Sequence, residues 1–398
     1  MWGVAFAAGV LLSVIGQWLA HTALGSAEAE RGSGESGSRE RAEKRAPGPT
    51  GQPWGDLEIT PLVLERPEEM FEQYPQSPVV RWYLPEDSFG ELTALVRDSG
   101  LSAGQKASLL DTNRWEHRTN GWRIRPPLEV VRDLPEADRE KVYGMLSRYS
   151  QNPQHYPFAY REDRFEALLT ESALPEDVIA LARRLSYRGR GLRCFCDGQL
   201  FEQLTSSNVT RQLFKALLRV PTMMVRLHLD EATDIDRVVA YWGGANRARE
   251  IKPLLRSLAK LPGGGSINIS HLLPPMPRLR LYTYPPLTNH LELDCFWSSF
   301  NFFGKDAEYR MGDSDYSNHL LDRDYFRWHG GKQFGDLMIL VESEMAMHAC
   351  VYIADDIYFT KNGTDPNQPW VFMHMTDIMA QYASNRPQEW RVFRRKVT

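Results

Sequence analysis

The last third of this chain carries three short signals whose order restricts how it can fold. Asp294-Cys295 opens an apolar, helix-like run, and Gly335-Asp336-Leu337 leads into a strand. His348 begins a second strand through Val351-Tyr352-Ile353, and Asp355-Asp356 supplies the turn of a hairpin. Around His348, polar or small residues alternate with apolar ones, which turns the imidazole to one side and buries its neighbours. A helix followed by antiparallel strands in one domain is an α+β arrangement.

The order matters chemically as well. A cysteine attacks carbonyl carbon as a thiolate, so it needs positive potential and a base; a helix N-terminus offers the first and an imidazole the second. Cys295 and His348 meet both needs. The same two residues also read as a buried thiol and a packed strand histidine. In an exported protein, Cys295 and Cys350 could instead pair as a disulfide, which would remove the nucleophile. Cys194 and Cys196, separated only by Phe195, lack a second ligand pair for zinc and read as buried or edge-strand thiols.

The chain has 398 residues, 42% of them hydrophobic, enough material for a large core and a length that suits two domains. A formal charge of -4 carries no basic excess, so nucleic acid is not expected as a partner. Residues 1–25 begin with an apolar stretch, Trp2 to Ile15, shorter than the roughly 18–20 residues a spanning helix needs. They read as an export signal or, uncleaved, as a membrane anchor. Residues 26–53 are rich in Gly, Ser, Glu, Arg and Pro and read as a solvated tether. Together these segments predict an exported protein of the periplasm, envelope or exterior.

Residues 54–262 read as a mainly helical domain of unknown role. Pro135-Glu136 and Pro175-Glu176-Asp177 start helices that run to Leu146 and Leu185, since proline and acids suit a first turn. Val209 to Leu218 and Arg247 to Leu261 repeat apolar i, i+3, i+4 spacing, and Met223 to Leu229 alternates like a strand. Tyr241-Trp242-Gly243-Gly244 marks a turn before the next helix. Gly263-Gly264-Gly265 is the expected boundary, with a second domain over residues 266–398. Within that domain, Pro274 to Pro286 reads as extended chain, and the segment holding His319, Asp322, Asp324 and His329 reads as a loop. Those four residues match no metal-binding spacing, so no metal is assigned.

The residues Leu293-Asp294-Cys295, Phe334-Gly335-Asp336-Leu337 and His348-Ala349-Cys350-Val351 match, in kind and order, a family of cysteine enzymes. Over about Leu291 to Thr360 the chain resembles the NlpC-type papain-like cysteine peptidases and amidases. The resemblance implies a papain-like domain with the nucleophile helix packed on an antiparallel sheet. It implies Cys295 as nucleophile, His348 as base, and Asn362 or Thr360 as the group that orients the ring, with Asn362 favoured on chemistry. Asp294 is expected to cap the helix and, with Trp297 and Ser298, to touch substrate. The implied substrate is a peptide or other amide, in this family typically a cell-wall peptide, with no cofactor. Here Phe296-Trp297 follows the cysteine where the family usually has small residues. Two alternatives stay open: a transglutaminase-like enzyme using Asp365, and a non-catalytic envelope binding or scaffold protein on a degenerate hydrolase fold.

Overall fold

The computed structural model describes residues 52–67, 80–155, 157–189, 191–286, 293–365, 367–382 and 386–396. The expected signal or anchor and nearly all of the tether lie outside the described residues. Among the described residues, no helix is long and apolar enough to cross a membrane.

The fold is mixed α+β with antiparallel sheets, in two compact units. One comprises residues 65–219 and joins eight helices to two three-stranded antiparallel sheets among the described residues. Its helices Glu136–Leu146 and Glu176–Leu185 each follow a capping proline and carry two acids in the first turn. Their apolar faces, Val142, Met145 and Leu146 in one and Val178, Ile179, Ala182 and Leu185 in the other, enter a shared core with Trp82, Phe165, Phe195 and Phe201.

Inside this core lies an ion pair. The fully buried Arg139 donates from Nη1 to Asp197 Oδ2 at 2.5 Å and from Nη2 to the Val131 carbonyl at 2.6 Å. The Tyr143 hydroxyl donates to the same carboxylate at 2.8 Å. Burial pushes the Asp197 carboxyl above its usual range, opposed first by the Arg139 charge.

The other unit contains Asp56–Leu64 (β1) together with residues 220–398. Strand β2 (Val220–Leu229) lies between β1 and β3 (Gly265–Asn268) in a three-stranded sheet. Helix α1 (Ile235–Ala259) connects β2 to β3 and breaks at Gly244, whose φ of 51 is left-handed. The domain boundary expected at Gly263–Gly265 is therefore misplaced: those glycines return α1 into β3 of the same unit. Gly264 has φ +82, and a Cβ there would lie 2.5 Å from the Leu229 carbonyl oxygen, so a tight turn explains the glycine run. The helix around Tyr241-Trp242 likewise starts earlier than expected, with Asp234 accepting from Arg237 N as its cap.

Next come α2 (Pro275–Arg280), α3 (Cys295–Phe300), α4 (Ser314–Asp324) and β4 (Tyr325–Trp328). Two expectations change here. Pro274 to Arg280 winds into a helical turn because proline suits an N-terminal position, and the expected loop of His319, Asp322 and Asp324 is a helix capped by Asp313. His329 follows β4.

Strands β5 (Leu337–Glu342), β6 (Met345–Ala354), β7 (Ile357–Lys361), β8 (Trp370–Met373) and β9 (Gln388–Arg395) complete a six-stranded antiparallel sheet in the order β4-β9-β5-β6-β7-β8. Helix α5 (Met375–Gln381) precedes β9. One face of the sheet, with Val351, Ile353, Phe359, Trp370 and Phe372, packs with Trp297 and Phe302. The opposite face, with Met338, Leu340, Cys350, Tyr358 and Met373, packs with Ile378 and Tyr382. Burial on both faces explains why Leu337 to Val341 is a continuous apolar run.

Gly335 and Asp336 set the start of β5. Gly335 has φ +86, and a Cβ there would sit 2.1 Å from the Phe303 ring, which only glycine avoids. Its N–H donates to the Tyr352 carbonyl at 2.9 Å, and Tyr352 N–H donates to the Asp336 carbonyl at 2.9 Å. The Asp336 carboxylate accepts from Arg394 Nε at 2.8 Å and Nη2 at 2.7 Å, tying β5 to β9. The Gly-Asp signal thus builds the strand.

Candidate active site

Helix α3 begins at Cys295 because Asp294 caps it. The carboxylate accepts from Trp297 N at 2.7 Å, and Ser298 Oγ donates back to the Asp294 carbonyl at 2.6 Å. Ser298 also accepts from the Trp370 indole N–H at 2.7 Å, which fixes the helix to β8. Trp297 packs its ring 6.1 Å from that of Trp370. Both Trp297 and Ser298 are fully buried. The sequence placed them as substrate contacts; the structure uses them as core, because a bulky aromatic and a hydroxyl on this short helix meet the Trp370 indole.

His348 lies on β6 and is fully buried. Its Nε2 is hydrogen-bonded to Thr360 Oγ1 at 2.9 Å, and its ring stacks on Tyr382 with centroids 4.2 Å apart. The Trp390 ring lies edge-on at 6.3 Å. Nδ1 is buried without a hydrogen-bond partner. Desolvation alone pulls the imidazole down to about 3, so the ring is neutral at ordinary pH.

Thr360, rather than the favoured Asn362, therefore orients the ring. The reason is geometric: β7 is still regular at Thr360, whereas Asn362 lies just past its end. Asn362 Nδ2 donates to Met373 Sδ at 3.4 Å, and its Oδ1 is buried without a partner. Asp365, the transglutaminase-like candidate, accepts from Asn367 N through its carboxylate at 2.8 Å and from Lys361 Nζ through its carbonyl at 3.1 Å.

The Cys295 thiol reaches the sheet where its ladder opens. Pairing of β6 with β7 runs through Ala354↔Ile357 and Tyr352↔Tyr358 to Val351↔Phe359. Beyond it lies Ala349, whose N–H, with that of Phe296, favours negative charge on the Cys295 sulfur. The sulfur lies on the side of α3, whereas the His348 ring projects from the opposite face of β6, shared with Cys350 and Tyr352 and covered by Tyr382. No hydrogen bond joins the thiol to Nδ1. Burial, then the Asp294 carboxylate, push the thiol well above its ordinary range; the Ala349 N–H and the Lys361 charge oppose them. All four cysteines are free, so Cys295 and Cys350 are not bridged.

Sequence reasoning missed two members of this cluster. Tyr382 covers the His348 ring, and burial followed by the Cys295 and Asp294 charges raises its phenol. Lys361 is fully buried, with Nζ donating to the Gly363 carbonyl at 2.6 Å. A lysine ending an otherwise apolar strand, Ile357-Tyr358-Phe359-Thr360, was the available signal.

Comparison of the chain with family models, with curated proteins and with solved structures found no match.

Proposed function

We propose that this protein is a thiol hydrolase of papain-like type that cleaves an amide bond, with Cys295 as nucleophile, His348 as general base and Thr360 as the group that holds the ring. One observation carries the reading. His348 has one nitrogen tied to Thr360 and the other buried without a partner, while the N–H of the adjacent residue favours negative charge on the sulfur of a helix-opening cysteine.

The shifts of both groups favour a neutral thiol and a neutral imidazole over a preformed ion pair. His348 then acts as base only during attack. As the Cys295 sulfur bonds to the amide carbon, its proton passes to Nδ1; as the C–N bond breaks, that proton goes to the leaving amine. Water next attacks the thioester and gives a proton to Nδ1, and the departing sulfur takes that proton back. The Cys295 N–H faces the oxyanion in this reading, a role in which one donor is worth roughly 10²–10³ in rate.

Because Cys295 is 3% exposed and the His348 ring projects from the other face of β6, substrate must both uncover the thiol and bring Nδ1 to it. The same burial favours a second reading, a binding or scaffold protein on a hydrolase-like sheet. An exported enzyme acting on peptides of the cell envelope suits the N-terminal sequence, with membrane anchoring if the apolar segment is retained. The test is amine release from cell-wall stem peptides and simple peptide amides by the reduced full chain. Release is expected to vanish in Cys295→Ala and to fall roughly 10²–10⁴-fold in His348→Ala. Absence of release by the wild type, or release unchanged in Cys295→Ala, contradicts the proposal.

A further inference from the structure

We infer that Lys361 is a positioning residue of the Cys295 site, its buried ammonium held on the face of the sheet that α3 covers to meet the negative charge that develops on the sulfur during attack. This rests on the thiol-hydrolase reading and adds a group that reading does not require.

The geometry comes first. Lys361 is fully buried and pairs across the sheet with Trp370, whose indole N–H bonds Ser298 of α3. Strand alternation puts Lys361 on the same face as Phe359, the face that α3 covers. Two carbonyls, Gly363 at 2.6 Å and Asp365 at 3.1 Å, hold its Nζ. The titratable groups acting on it are Asp294, which caps α3, Asp365 of the following loop, and the Cys295 thiol. Burial pulls the ammonium down to about 8, and the Asp294 and then the Asp365 carboxylates oppose that fall.

A core position of this kind ordinarily takes an apolar residue, because a buried charge is costly unless it is paired and hydrogen-bonded. The site explains the exception. Asp294 caps the helix but opposes a thiolate at the next residue, and a six-residue helix offers only a short dipole. Lys361 offsets the Asp294 charge at the sulfur. Inside a protein the effective dielectric is well below that of water, so a nearby cation affects attack measurably.

The test follows iodoacetamide labelling of Cys295 in the reduced full chain, quantified on the Cys295 peptide by mass spectrometry. Wild-type labelling is expected to hold steady from pH 5 to 7 and to decline above pH 8 as the ammonium loses its proton. Lys361→Arg, a cation that does not titrate in this range, should restore the pH 6 rate and remove the decline. Lys361→Met should lower the pH 6 rate by about tenfold or more and also remove the decline. Asp294→Asn keeps a good helix cap and should shift the decline to lower pH, since the ammonium loses an anionic neighbour. A folded Lys361→Met chain that keeps both rate and decline overturns the inference. If the lysine variants do not fold, a wild-type decline that Asp294→Asn leaves unmoved overturns it as well. Failure of the hydrolase reading would appear separately, as loss of any dependence on His348.

Discussion

Asp197→Ala is expected to lower the stability of the 65–219 unit by about 3–5 kcal/mol, the usual cost of removing one partner from a buried ion pair. Arg139 is wholly buried, and apart from Asp197 its guanidinium meets only neutral groups, the Tyr143 hydroxyl and the Val131 and Leu134 carbonyls, so no second carboxylate takes up the freed charge. Tyr143 loses its acceptor at the same time. Domain stabilities of roughly 5–15 kcal/mol leave little margin for such a loss. Urea unfolding should show the midpoint falling steeply in Asp197→Ala and recovering in Arg139→Met/Asp197→Leu, since exchanging both charges for apolar groups is often neutral. A stability loss below about 1 kcal/mol for the single change would contradict the assignment of this pair as a fully desolvated anchor.

Acid should destabilise the other unit through His348. Its folded pKa, about 3, lies below the unfolded value, so the unfolded chain binds a proton that the folded chain refuses. The stability linked to the neutral ring is complete above about pH 6.5 and is lost as pH falls toward 3. The maximum slope is about 1.4 kcal/mol per pH unit, and the whole effect is on the order of 4–5 kcal/mol. His348→Gln, which does not titrate, should be less stable at pH 7 yet lose this component of the acid dependence. Denaturant midpoints of both proteins at pH 7, 5 and 4 give the comparison. Parallel curves for wild type and variant would show that the ring is not held neutral by burial.

The sequence displayed the elements of the site more clearly than their contacts. Asp294-Cys295 reads as a capped helix start because the cap is local, and Asp355-Asp356 reads as a turn because β6 ends at Ala354 and β7 starts at Ile357. Local signals also marked Glu136–Leu146 and Glu176–Leu185. What escaped depends on distant pairing. Glycines at 263–265 look like a linker until β2 is seen to pair with β3 on one side and β1 on the other. Trp297 and Ser298 look available for substrate until Trp370, more than seventy residues on, fills the space beside them. Thr360 and Asn362 share strand parity, and only the end of β7 at Lys361 decides which of them the ring meets. Lys361 and Tyr382 carry no motif; only burial beside Cys295 and His348 marks them.

The most direct test of the proposed chemistry is the iodoacetamide labelling rate of Cys295 at pH 5, 6 and 7 in the reduced wild type and in His348→Ala. A neutral thiol served by a neutral imidazole keeps the same protonation across that range, so the wild-type rate should be nearly constant. Without the base, reaction depends on free thiolate, and His348→Ala should gain about tenfold per pH unit. A wild-type rate that climbs tenfold per unit in step with the variant would contradict the pairing of Cys295 with His348.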